Sequence, residues 1–104
     1  MALVTLEEAK EYLRVDTADE DATIGILLSS ACRLCADVAR LSEDAWNEID
    51  NDDAGEEQAA VRETMKVAVL YAVGYMFEHR EEADHHALVL TLRSILFAVR
   101  EGAV

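Results

Sequence analysis

The 104-residue chain has no proline, four glycines, two cysteines and only nine lysine or arginine residues. Two cysteines are too few for the disulfide scaffold on which many small secreted domains depend. The nine basic residues stand against 22 acidic ones, which gives a formal net charge of −13. Because proteins bind nucleic-acid phosphates through lysine and arginine, this balance argues against sequence-specific DNA binding.

Targeting and membrane-spanning segments are also missing from the sequence pattern. The N-terminus lacks the basic region of a signal peptide, and its first apolar stretch is interrupted at Glu7. The longest uncharged apolar run, residues 67–77, has 11 residues. A transmembrane helix needs about 20. We therefore expect a cytoplasmic protein that does not contact a membrane.

Apolar residues are abundant, at 52% of the chain against 30% charged residues. A chain of this length has room for one core, so we predict a single domain over residues 1–104. Apolar residues recur with a helical period, and alternating runs of strand length are missing. The sequence thus predicts an all-α fold of four to five helices. The apolar share is high for so small a body, which indicates a subunit or partner interface.

Capping signals mark the first two helices. Thr5 and Glu8 have the spacing of a capping box for a helix over residues 6–14. Residues 16–21 form an acidic turn, whose last three carboxylates we place in the first turn of the second helix. That helix should end near Arg40. Its core stripe comprises Ile24, Leu27, Leu28, Ala31, Leu34, Cys35 and Val38.

The remaining helices follow from similar signals. Ser42 is a predicted N-cap for a short third helix, and residues 51–55 form a loop. A long fourth helix is predicted over residues 56–81, and its second half is apolar all round, which is typical of a central helix. Gly74 within it indicates close approach by a neighbouring helix. Asp84 is the predicted N-cap of the last helix.

The last helix has more apolar surface than one contact face requires. We predict that its core stripe comprises Leu88, Leu92, Ile95, Leu96 and Val99. Val89, Leu90 and Phe97 lie off that stripe. They form either a subunit or partner surface or additional packing within the chain.

Two segments carry side chains that bind metals or react in other proteins. Cys32 and Cys35 have C-x-x-C spacing but lie in mid-helix, far from the helix N-terminus that would activate a thiol, and no second pair completes a zinc site. We interpret them as small core residues. His79 and Glu82 are close enough along a helix to share a metal, but we favour a polar turn between helices as the reason for the histidines there. We predict no cofactor.

Two stretches of the chain resemble the phage head-tail connector family. The first is a capped helix ending in Leu13-Arg14-Val15-Asp16, followed by an acidic turn and a helix rich in leucine and alanine. The second, residues 67–81, is similar to the family's long buried helix, which finishes in an aromatic pair and Glu-x-Arg. That ending corresponds here to Glu78 and Arg80. Residues 41–55 depart from the family pattern because they are acidic and lack proline.

The resemblance implies a structural virion protein of a phage or prophage, without catalytic residues. Its copies would form a homo-oligomeric, dodecameric ring beneath the portal and extend the DNA channel toward the tail. Portal and tail-side connector proteins would be its partners, and DNA would pass an acidic lumen without sequence-specific binding. The protein would lie at the head-tail junction of the virion after assembly in the host cytoplasm. Glu78, Arg80, Val89, Leu90 and Phe97 are the predicted subunit or partner contacts.

Two other function classes remain open at this point. An acidic helical binding module, such as a DNA mimic that occupies a basic nucleic-acid-binding protein, would also have this charge. The acidic residues concentrate near helix junctions, at 16–21, 43–57 and 78–84, which favours solvated loops over a phosphate-like stripe. A metal or thiol enzyme would have to use Cys32, Cys35 and His79.

Overall fold

The computed structural model describes residues 3–50, 56–79 and 85–97, and these form five α-helices without a strand. The helices are α1 (Leu6–Leu13), α2 (Asp21–Ala39), α3 (Glu43–Asp50), α4 (Glu56–Glu78) and α5 (His85–Leu96). This architecture confirms the all-α prediction. The predicted loop at 51–55, the cap at Asp84 and the core position Val99 lie outside the described residues.

The predicted capping box is present at the N-terminus of helix α1. The Thr5 hydroxyl accepts a hydrogen bond from the Glu8 backbone N–H at 3.1 Å, and the Thr5 N–H donates to Glu8 Oε1 at 3.0 Å. These two bonds satisfy donors that a helix N-terminus otherwise leaves unpaired. Arg14, predicted as the last helical residue, instead stands just beyond the helix in the left-handed conformation with φ of 60°.

Helix α2 ends in the same way. Arg40 has φ of 58°, and its backbone N–H donates to the carbonyls of Ala36 and Asp37. The Leu41 N–H donates to the Ala36 carbonyl at 3.0 Å, so the end of the helix has the bonding of a Schellman motif. At its start the helix begins at Asp21. The two preceding acidic residues therefore lie in the turn, and the prediction that they occupy the first helical turn was wrong.

Helix α4 is the centre of the fold, as predicted. It contacts α1, α2, α3 and α5, and α2 also packs against α1 and α5. Its fully buried positions are Met65, Ala68, Val69, Ala72 and Val73. Two apolar residues of its second half are nevertheless exposed, Val67 at 58% and Tyr71 at 37%. The second half of α4 is therefore apolar on every side but is not completely buried.

Polar side chains join α1 to α2 and α4, and another one caps α3. Glu8 of α1 pairs with Lys66 of α4. Lys10 of α1 lies 2.7 Å from Asp21 at the start of α2. The Ser42 hydroxyl caps α3 by accepting from the Ala45 N–H at 3.1 Å, as predicted.

The two helical glycines have different surroundings. A Cβ built on Gly74 would lie 2.9 Å from Cε2 of Tyr12, so α1 does approach α4 closely at this point, as predicted. A Cβ on Gly25 would meet no heavy atom within 4 Å. Close packing therefore explains the glycine of α4 and leaves the glycine of α2 without a steric reason.

Among the described residues, only α2 has the length of 19 residues and the mean hydropathy of 1.5 that would allow a helix to cross a membrane. Arg33 and Asp37 interrupt this helix, so its sequence contains no long uncharged run. Core helices of globular domains often have such a composition. Helix α2 packs against three other helices and buries Ile24, Ala31, Cys35 and Ala39.

Candidate interaction surfaces

Helix α5 exposes an apolar face opposite its core stripe. Leu88, Leu92 and Leu96 recur every four residues and are at most 1% exposed. Leu90 lies on the other side of the helix and is 49% exposed, and Phe97, the residue directly after α5, is 62% exposed. Together they offer apolar area that a partner could cover. We call Leu90 and Phe97 the α5 face.

A groove with two arginines lies between the end of α2 and helix α5. It has a volume of about 260 Å³ and is lined by Asp37, Val38 and Arg40 from the α2 side and by Val89 and Arg93 from α5. Val89, Arg93 and Phe97 are spaced by four residues, so they follow one row along the helix. We call this cavity the arginine groove, and its lining residue Val89 is the sequence neighbour of Leu90 in the α5 face.

A second groove of about 490 Å³ lies between α1 and the C-terminal half of α4. It is lined by Tyr12, Leu13, Arg14, Tyr71, Gly74, Tyr75, Glu78 and His79. The His79 ring packs on Tyr75 with 4.4 Å between the ring centroids. We call it the aromatic groove. Its three tyrosines combine an apolar wall with hydroxyl groups, a combination that is enriched at protein interfaces.

The predicted contact residues are divided among these surfaces. Glu78 is exposed beside the aromatic groove, Val89 lines the arginine groove, and Leu90 with Phe97 forms the α5 face. Arg80 lies outside the described residues. The structure thus brings the three α5 residues together and places Glu78 in a different groove. Their contact roles stay predictions.

Sequence reasoning missed the aromatic groove. Tyr71 and Tyr75 belong to the half of α4 that is apolar all round in sequence, a pattern that predicts burial in the core. The sequence feature that indicates an exposed side of α4 is the spacing of the acidic residues Glu63 and Glu78, both of which are exposed. They lie on the same side of the helix as Val67 and Tyr71, and carboxylates at these distances indicate a solvated face.

The cysteine pair has the environment of core residues. Cys35 is fully buried and Cys32 is half-buried, and neither takes part in a disulfide. Burial, followed by the nearby Cys32, raises the pKa of the Cys35 thiol to about 12. The reactive thiolate of Cys35 is therefore scarce at neutral pH.

The described part of the chain also contains no cluster of three or more histidine, cysteine or acidic side chains arranged to hold a metal ion. Of the predicted histidine segment, His79 and His86 are exposed, while Glu82 lies outside the described residues. The described geometry thus offers surfaces for partners and no constellation for metal-assisted chemistry.

Comparison with known proteins identifies one family. The model described as phage gp6-like head-tail connector protein matches residues 3–101, which is nearly the whole chain. No curated protein and no solved structure matches the sequence.

Proposed function

Because the chain belongs to the phage gp6-like head-tail connector family, whose members are structural phage proteins, we propose that it joins head to tail in a phage or prophage virion. Copies assemble in the host cytoplasm as a dodecameric ring beneath the portal. The ring continues the DNA channel toward the tail-side connector proteins. The observation that carries this proposal is the family match over residues 3–101.

The exposed apolar surface of α5 supports the assembly step. A side chain such as Phe97, 62% exposed, gains stabilisation when a neighbour covers it, roughly 25 cal/mol for each Å² removed from water. Val89, Leu90 and Phe97 are the proposed subunit contacts in this ring. Glu78 and Arg80 are proposed to contribute a second contact or to fix the end of α4.

The charge of the chain supports the passage of DNA. A ring of subunits with a formal charge of −13 each surrounds its opening with a negative potential. The phosphate backbone is then repelled from the wall and finds few lysine or arginine side chains to hold it. The proposed mechanism is geometric: the ring fixes the channel diameter and leaves the DNA free to slide.

Deletion of the gene from its phage tests the role in the virion. We expect heads that contain DNA and tails that remain separate, seen by electron microscopy of lysates, with a loss of infectious particles. Expression of the protein from a plasmid should restore joining. Normal numbers of infectious, tailed particles from the deletion phage would contradict the proposal.

Assembly of the purified protein tests the ring. Light scattering after size exclusion should show a large discrete species, and negative-stain images should show rings. Phe97→Ser should weaken assembly by about tenfold or more, because it removes a large apolar side chain from the proposed interface. Ile26→Ser is the matched control, since Ile26 of α2 is 68% exposed and lies outside the α5 face.

The comparison of these two variants decides the role of α5. Equal weakening by both would show that general surface hydrophobicity drives association and would contradict the α5 contact. A chain that stays monomeric and instead binds a basic protein would favour the acidic binding module.

A further inference from the structure

Some basic side chains of this acidic protein form ion pairs within the described part of the chain, and others do not. Lys10 and Lys66 form ion pairs within the chain, and the Arg62 guanidinium donates to the Ile49 carbonyl at 3.3 Å. Within the described residues, the guanidinium groups of Arg40 and Arg93 form no ion pair, although acidic residues outnumber basic ones. Both line the arginine groove. This groove therefore carries positive charge that the described fold does not neutralise by ion pairing.

The geometry of the groove suits a small acidic segment. Its lining combines two arginines with one carboxylate, Asp37, and with the apolar side chains of Val38 and Val89. A volume of about 260 Å³ accommodates a few side chains and is too small for a whole helix. Arginine binds carboxylates through two parallel hydrogen bonds, which gives both strength and orientation.

The chain itself presents a matching acidic segment. Asp16 and Asp19 lie in the turn before α2, both are exposed, and neither forms an ion pair with any described residue. Arg40 follows the other end of the same helix. At a rise of about 1.5 Å per residue, the 19 residues of α2 separate the acidic turn from the groove by roughly 28 Å. One helix thus carries opposite charges at its two ends.

We infer that the acidic turn of one copy, through Asp16 and Asp19, docks in the arginine groove of the next copy. The contact is head-to-tail, because each subunit offers two different surfaces, and such contacts generate rings when the rotation closes. The inference rests on the proposed connector ring and names an electrostatic part of its subunit interface. The α5 face follows Val89 of the groove lining in sequence and supplies the apolar part.

Salt dependence alone would not reveal this contact. Raising the salt concentration weakens the local arginine–carboxylate pairs, but it also screens the repulsion between chains that each carry a formal charge of −13. The two effects have opposite signs. Charge reversal separates them, because a complementary pair of reversals preserves the local attraction.

Two double variants provide the test. The first, Arg40→Glu with Arg93→Glu, reverses the groove, and the second, Asp16→Arg with Asp19→Arg, reverses the turn. Each alone should self-associate at least about tenfold more weakly than the natural chain, measured by sedimentation velocity, because like charges then meet at the contact. An equimolar mixture should assemble again, since each variant's turn is complementary to the other's groove.

Arg33→Glu is the control for the groove variant. Arg33 is an exposed residue of α2 that lines neither the arginine groove nor the aromatic groove. Its reversal should leave assembly unchanged. Circular dichroism and urea unfolding of each variant identify any loss of assembly that comes from misfolding.

The outcomes separate this inference from the connector proposal. If the natural chain assembles and either double variant assembles equally well, or if the mixture fails to recover, the groove contact is wrong while the connector role stands. A natural chain that is monomeric at every concentration would also overturn the self-contact. Capture of an acidic partner by the groove would then replace it. The connector role is decided independently by the deletion phage.

Discussion

Replacing each helical glycine by alanine provides a sharp test of how α1 packs on α4. Gly25 and Gly74 both lie inside helices, so both substitutions gain the same intrinsic helix stabilisation of about 0.8–1.0 kcal/mol. They differ in what the new methyl group meets. At Gly25 it meets nothing within 4 Å, and at Gly74 it lies 2.9 Å from the ring of Tyr12.

The expected magnitudes follow from this difference. Gly25→Ala should increase the free energy of unfolding by about 1 kcal/mol, because no contact opposes the gain in propensity. Gly74→Ala forces the ring of Tyr12 to move. Overpacking of this kind typically destabilises by about 1–3 kcal/mol, and the 51% exposure of Tyr12 places the loss near the lower end. The net change should lie between about 0 and −1 kcal/mol.

Urea unfolding followed by circular dichroism measures both changes, and a double-mutant cycle isolates their cause. In a Tyr12→Ala background the obstacle is gone, so Gly74→Ala should then stabilise by about 1 kcal/mol, as Gly25→Ala does. The packing would be refuted if Gly74→Ala stabilised the natural chain as much as Gly25→Ala. It would equally be refuted if removal of the tyrosine left the effect of Gly74→Ala unchanged.

Three further predictions concern ionisable groups. The pKa of Glu8 is lowered first by its hydrogen bond with a lysine of α4, so its stabilising contribution exists above the ordinary pKa and is lost as the pH falls through the lowered one. The stability difference between Glu8→Gln and the natural chain, measured by urea unfolding, should therefore shrink on acidification, and a constant difference would contradict this. Lys10→Met should destabilise by about 1 kcal/mol in thermal unfolding, because Asp21 loses its 2.7 Å partner, whereas Asp21→Asn with Lys10→Met should recover part of the loss. An aromatic disulfide reagent should modify Cys32 before Cys35 in the folded protein, because the pKa of the Cys35 thiol is about 12, and equal rates would contradict its burial.

Features that depend on neighbours in the sequence could be predicted well. The capping box of Thr5 and Glu8 requires only residues three apart, and its hydrogen bonds are present. Ser42 caps α3 for the same reason. The buried row Leu88, Leu92 and Leu96 follows from helical periodicity.

Features that depend on which helices meet could not be predicted in the same way. Periodicity marks the second half of α4 as apolar, but the partner helices leave Val67 58% and Tyr71 37% exposed. The arginine groove exists because Arg40 and Arg93, distant in sequence, come together where α2 meets α5. A sequence pattern gives the direction of each side chain from its own helix and does not give the arrangement of the other helices.

Two non-glycine residues directly after helices adopt the left-handed conformation, which lowers the stability of the fold. Arg14 and Arg40 occupy a conformation that glycine adopts without strain and that other residues adopt at a penalty of about 1 kcal/mol or more. Each lines a groove, so substitution by glycine would relieve the backbone and remove a positive charge from a cavity wall. Under the proposed head-to-tail contact, thermostability and assembly oppose each other at Arg40. Arg14→Gly would relieve the backbone at the other helix end without touching that contact.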